Sequence, residues 1–336
     1  MVSVESYTVA VILCFITMLC WGSWANMQKL AGQQWRFPLF YWDYSIGVLL
    51  LALIFAFTLG SMGGTGRAFL PDLMQADGQW LGSAFLGGVI FNLSNILLVA
   101  AIEIAGMSVA FPVGVGLALV LGVITTYLAT GDGNVPILAA GVGAVVIAIV
   151  LDALAYGKMA AGARKTPVSG IVLSVVAGVL MGWFYSFVAR SMGTLDPVTL
   201  VLTPGKLSAY TAIVLFSLGL FVSSFLWNGL AMRYLVQDPP IAWGDYFRLG
   251  NARLHAIGIL GGVIWSVGMA LSILASTKAG AALSYGLGQG ATMVGAAWGV
   301  FVWKEFKGAS SGVNGLLAAM FVFYLLGLGI LVASRL

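Results

Sequence analysis

The chain has 336 residues, 61% of them hydrophobic and only 8% charged. Soluble domains carry about 25% charged residues, so this composition excludes a soluble globular domain and fits a protein solvated by lipid. The formal net charge of +4 is scattered over helix ends and forms no basic patch, which argues against a nucleic-acid partner.

A membrane-spanning helix needs about 20 apolar residues. Ten stretches qualify: 7–28, 39–59, 80–102, 107–129, 136–155, 168–190, 209–232, 255–276, 281–303 and 312–333. The first is long and lacks a basic flank, so it reads as a span and not as a cleaved signal. It carries both cysteines, Cys14 and Cys20, which on one apolar helix are packing residues. The 45 glycines suit close approach of helices in a bilayer. Tight joints occur at 103–106 and 277–280, and longer polar segments at 60–79 and 233–254. The second of these predicts an interfacial segment at 243–248.

One helix pair is used twice. Residues 87–95 (GGVIFNLSN) and 261–268 (GGVIWSVG) each open a long apolar helix, 174 positions apart. The helices that follow carry Gly114 and Gly116 in register with Gly288 and Gly290. Fixed-offset similarity implies a duplicated architecture. Five helices on each side of the joint reverse the insertion of the second half, giving an inverted repeat of the kind secondary transporters use. The expected organisation is a five-helix unit over 1–156, a cytoplasmic connector at 157–166 and a second five-helix unit over 167–336. Loops after odd-numbered helices hold ten Lys and Arg, and the opposite side with the tail holds five. Both termini are then expected outside, in a multi-pass protein of the inner cell membrane.

No nucleophile–base pair or metal cluster can be assembled, so the chain is expected to be no enzyme and to need no cofactor or metal. The run 157–166 (GKMAAGARKT) resembles a phosphate loop, but two inserted residues displace its lysine from the turn. The single histidine, His255, reads as an interfacial cap at a helix start. Polar and aromatic residues deep in the spans are more informative, because an amide in lipid must find a partner helix or a solute. Asn92 and Asn95 share a helix face; Trp21, Ser23 and Trp24 crowd the first helix, Trp183 and Tyr185 the sixth, Trp265 the eighth, and Tyr285 and Gln289 the ninth. Flat aromatic faces with a few amides suit an uncharged, hydrogen-bonding solute. These ten residues are the expected solute site. Trp80 and Trp303 read as interface-belt residues. Among acids at helix ends, Asp152 reads as capping or snorkelling to headgroups, whereas Glu103 and Asp43 are the candidates for proton coupling.

The stretches 18–25 (MLCWGSWA), 42–45 (WDYS), 55–60 (FAFTLG), 88–95 into 106–108, and 300–305 (VFVWKE) resemble the plant ureide permeases and their bacterial relatives. The neighbouring glucose/ribose sugar uptake family is similar around 108–113 (SVAFPV). This resemblance implies the drug/metabolite transporter superfamily: an all-α membrane protein of ten helices in two inverted halves of five. It also implies proton-coupled import of allantoin, uracil or similar ureides in one branch, and of sugars in the other. The reading is a secondary importer of a small neutral polar solute with protons as the coupled ion, working in the lipid bilayer as a monomer or homodimer. The alternative is an exporter of metabolites or drugs.

Overall fold

The computed structural model describes residues 1–32, 34–131, 133–159, 167–196, 198–235 and 241–334. Residues 160–166 of the expected connector, with the lysine–threonine end of its phosphate-loop-like run, lie outside the described residues.

The described chain is built of α-helices: α1 (Tyr7–Ser23), α2 (Ala25–Ala31), α3 (Phe37–Phe57), α4 (Phe69–Gln75), α5 (Gly78–Ala105), α6 (Met107–Thr130) and α7 (Val135–Met159) in its first part. There follow α8 (Val168–Ser191), α9 (Ala209–Leu230), α10 (Asp245–Leu249), α11 (Ala252–Ala279), α12 (Ala281–Gly288), α13 (Ala291–Ala297) and α14 (Ser311–Ala333). Helices satisfy their own backbone groups, which lipid cannot do. Nine helical stretches among the described residues are long and apolar enough to cross a membrane, α1 and α2 counting together as Tyr7–Ala31.

The expected span at 281–303 is not one continuous helix. It is divided at Gln289 and Gly290 into α12 and α13, and ends in a π-helical turn, Trp298–Val302. The two flanking glycines admit large neighbours: a Cβ on Gly288 would strike the Trp21 ring, and one on Gly290 the Met18 sulfur. The interruption is packed around these side chains, and every residue of α12 is buried. The segment expected at 243–248 forms the short α10.

Packing follows a reciprocal pattern between helices of the first and second parts of the chain. Helix α5 lies along α8 and α9, while α11 lies along α1 and α3; α6 packs on α8, while α12 and α13 pack on α1; α7 packs on α14. Glycines let the crossings close to backbone contact. A Cβ on Gly88 would collide with the Phe216 carbonyl, and one on Gly262 with the Tyr44 carbonyl. Gly219 meets the Phe85 carbonyl as Gly47 meets that of Ile259. Positions 85 and 88 differ from 259 and 262 by 174, and positions 44 and 47 differ from 216 and 219 by 172.

One end of the bundle is sealed. Arg67 donates to Asp72 Oδ1 at 2.8 Å and to the carbonyls of Leu202 and Lys206, both at 2.9 Å. Asp72, fully buried, accepts the Ser208 amide at 2.7 Å through its other oxygen. The Met1 ammonium donates to the Thr65 carbonyl at 2.7 Å on the same end. These contacts tie the α3–α5 connection to the α8–α9 connection.

Candidate functional site

A cavity of about 550 Å³ is lined by residues from both parts of the chain. Its deep wall is aromatic. Trp21 stacks on Trp265 with centroids 5.9 Å apart and planes 13° from parallel. Phe91 lies 4.6 Å from Trp265 and 5.0 Å from Phe184. Trp265 is almost fully buried, whereas Lys29 and Glu103, which line the same cavity, are exposed. The cavity therefore runs from the core to the end opposite the sealed one, where α2, α5 and α7 finish.

Five of the ten expected solute-site residues line it: Trp21, Trp24, Asn95, Trp265 and Gln289. Asn95 donates to the Tyr41 hydroxyl at 3.3 Å, and Gln289 sits at the break between α12 and α13. The structure does not bring the other five into the lining. Asn92 is spent on α9, its amide nitrogen bonding Ser223 Oγ at 2.8 Å, the Leu220 carbonyl at 3.0 Å and Ser224 Oγ at 3.2 Å. Tyr185 reaches Ser272 Oγ at 3.0 Å. Tyr285 lies 3.1 Å from the carbonyls of both Ala118 and Met181, one of which takes its proton. Ser23 accepts from Trp298 Nε1 at 2.9 Å just behind the wall. Trp183 is 49% exposed on the outer face of α8.

The two expected coupling acids part company. Glu103 lines the exposed mouth of the cavity and feels the charge of Arg36. Asp43 is fully buried away from the cavity, among donors. Its Oδ2 accepts from Trp35 Nε1 at 3.0 Å, and its Oδ1 from the Tyr246 hydroxyl at 2.5 Å and His255 Nδ1 at 2.9 Å. His255 is thus no interfacial cap but a tie between α11 and α3. Burial and the adjoining Asp43 push the Tyr246 phenol up, keeping it a donor.

Two readings of the sequence are corrected at the mouth. Asp152 does not snorkel to headgroups: it is 5% exposed and lines the cavity. Trp303 does not serve only as a belt residue, since it lines the mouth and donates through Nε1 to Asn26 Oδ1 at 2.5 Å. Glu305 and Tyr156, given no site role from the sequence, also line the cavity. Glu305 takes Lys29 Nζ at 2.5 Å on Oε1 and the Tyr156 hydroxyl at 2.9 Å on Oε2.

The described residues form a multi-pass helical membrane protein with an aromatic-walled cavity that reaches one end of the bundle. The ureide permease family matches residues 40–166 and 160–334, and the chain belongs to that family. Ureide permease 5 of Arabidopsis thaliana is 24% identical, covering 98% of this chain and 95% of its own. Ureide permease 1 of the same plant is 24% identical over 99% of both chains. A probable ureide permease A3 of Vigna unguiculata is 29% identical over 49% of this chain and 46% of its own. A solved crystal structure superposes with a TM-score of 0.61 over 98% of this chain and 99% of its own, at 17% identity, which speaks to the fold alone. Members of the family are permeases, so this chain is a transporter and not an enzyme.

Proposed function

We propose that the protein imports a ureide or a related small, neutral, planar solute by proton symport, through alternating access of two inverted halves. The observation that carries this reading is the cavity itself. Its aromatic wall of Trp21, Phe91, Phe184 and Trp265 offers apolar ring surface, and Asn95 and Gln289 offer amides that match the N–H and C=O groups of a ureide. The names of the full-length relatives point to the same solute class. Reciprocal glycine crossings at constant offsets support the inverted duplication, and one sealed end with one open end supports alternating access. The excess of Lys and Arg on the cavity's open side supports a cytoplasmic mouth and outward termini.

The test is counterflow of labelled allantoin and uracil in proteoliposomes, with and without an inward proton gradient. Gradient-dependent accumulation that excess unlabelled ureide abolishes is expected. Accumulation of glucose or ribose without ureide uptake would overturn the solute class, and gradient-independent uptake would overturn symport.

A further inference from the structure

We propose that Asp152 is the proton-carrying carboxyl of the cavity, its charge state governed by Glu305 through Tyr156 and Lys29. The proposal rests on the transporter reading but names a different residue from the two acids the sequence suggested.

Position comes first. Asp152 stands seven residues before the end of α7 at Met159, about 10 Å inside the helix at 1.5 Å per residue. Its side chain is in the cavity wall, and its Oδ1 is buried with no hydrogen-bond partner among the described residues. An ionised carboxylate is an acceptor only, and a buried acceptor left unmatched is costly. A bound proton removes the charge and supplies a donor. A metal ion would need several unengaged oxygen ligands, whereas among the described residues both oxygens of the neighbouring Glu305 are already taken, by Lys29 and by Tyr156.

Its neighbours make that proton responsive. Glu305 lies near enough for its charge to act on Asp152, yet both Glu305 oxygens are already matched, by Lys29 and by Tyr156. Glu305 is therefore the settled partner and Asp152 the unsettled one. Of the elements around Asp152, α14 contributes Tyr324, whose hydroxyl is bonded to Thr292 Oγ1 at 2.6 Å. Helix α6 contains no Asp, Glu, Lys, Arg or His, and Tyr127 is its one titratable residue. Tyr156 stands one turn along α7 itself. Among the described residues, the cation paired with Glu305 is Lys29, carried by α2 and separate from the helix that holds Asp152. Movement of α2 that parts Lys29 from Glu305 withdraws that cation from the cavity both acids line, leaving the charge of Glu305 uncompensated, which favours a proton on Asp152. Closing the pair releases it. Glu103 is exposed at the mouth and takes no part in the Lys29–Glu305 pair.

Two measurements test this. In the first, purified protein is titrated while the infrared stretch of protonated carboxylic acids is recorded, with ¹³C-carboxyl aspartate incorporated. A titrating band that shifts with the label in the wild type, and returns to the unlabelled position in Asp152→Glu, is expected. A titrating band that the label does not move, or that Asp152→Glu leaves unchanged, overturns the assignment, as does the lack of any titrating band. This measurement holds whether or not allantoin is the solute. In the second, allantoin accumulation is driven by an inward gradient of one pH unit, which supports at most about tenfold accumulation for one-to-one coupling. Asp152→Asn is expected to fall to about onefold while retaining counterflow, with Glu103→Gln still accumulating. Accumulation by Asp152→Asn equal to the wild type overturns the proposal; lack of allantoin transport by the wild type overturns the solute reading alone.

Discussion

His255, the single histidine of the chain, holds Nδ1 2.9 Å from Oδ1 of Asp43, joining helix α11 to helix α3. With Trp35 and Tyr246 donating to the same carboxyl, three donors converge on a fully buried acid, an arrangement suited to an ionised acceptor. Asp43 is then a structural clasp. Asp43→Asn should lower stability by about 1–3 kcal/mol, the cost of leaving a buried hydrogen-bonding group unmatched. Thermal unfolding in detergent checks this. A normally stable Asp43→Asn that accumulates no solute would instead place Asp43 in coupling.

The glycine crossings make a second, sharper prediction. Gly88→Ala and Gly262→Ala each drive a methyl into a backbone carbonyl, of Phe216 and Tyr44, which cannot rotate away. Each should destabilise by about 1–3 kcal/mol or more. Gly82 lies on the same helix as Gly88, and a methyl added there would meet nothing within 4 Å. Gly82→Ala should be neutral or slightly stabilising, by up to about 1 kcal/mol. Unfolding midpoints of the three variants, measured side by side, decide whether the crossings or general helix propensity matter.

Much of this architecture is legible because lipid leaves little choice. Long apolar runs mark the spans, and the two similar stretches 174 positions apart fall on α5 and α11, whose glycines Gly88 and Gly262 meet α9 and α3. The break at Gln289 is not legible, since Gly288 and Gly290 read equally as close-packing glycines of an intact helix. Amides are harder still. Asn92 and Asn95 share one helix face, yet three positions of rotation send one to α9 and the other to the cavity. Asp152 is misread through a boundary: with the span ending at 155 it is terminal, but α7 continues to Met159 and leaves it two turns inside. The pairing of Glu305 with Tyr156 gives no sequence signal, because they are 149 positions apart and meet only in the folded molecule.

That divergence of the two asparagines is testable. Asn95→Ala should weaken binding of labelled allantoin about 5- to 150-fold, from about 1–3 kcal/mol for a buried hydrogen bond left unmade. Asn92→Ala should leave the Kd unchanged and lower the unfolding midpoint, because its amide ties α5 to α9. Equilibrium binding and thermal unfolding of both purified variants separate the roles. The reverse pattern would move the solute site away from the cavity.

The direction of the open end can be settled on intact cells. Lys158 lies in the last turn of α7, on the same end as Lys29 and Glu305 at the cavity mouth. Val198 is 88% exposed in the turn between α8 and α9, on the sealed end. The native thiols are a small background, since Cys14 is buried and Cys20 half-buried within α1. The excess of Lys and Arg on Lys158's side predicts that this side is cytoplasmic. A membrane-impermeant maleimide should therefore label Val198→Cys and spare Lys158→Cys until the cells are permeabilised. The opposite labelling would turn the molecule over, placing both termini inside and opening the cavity outward, with the packing of the halves untouched.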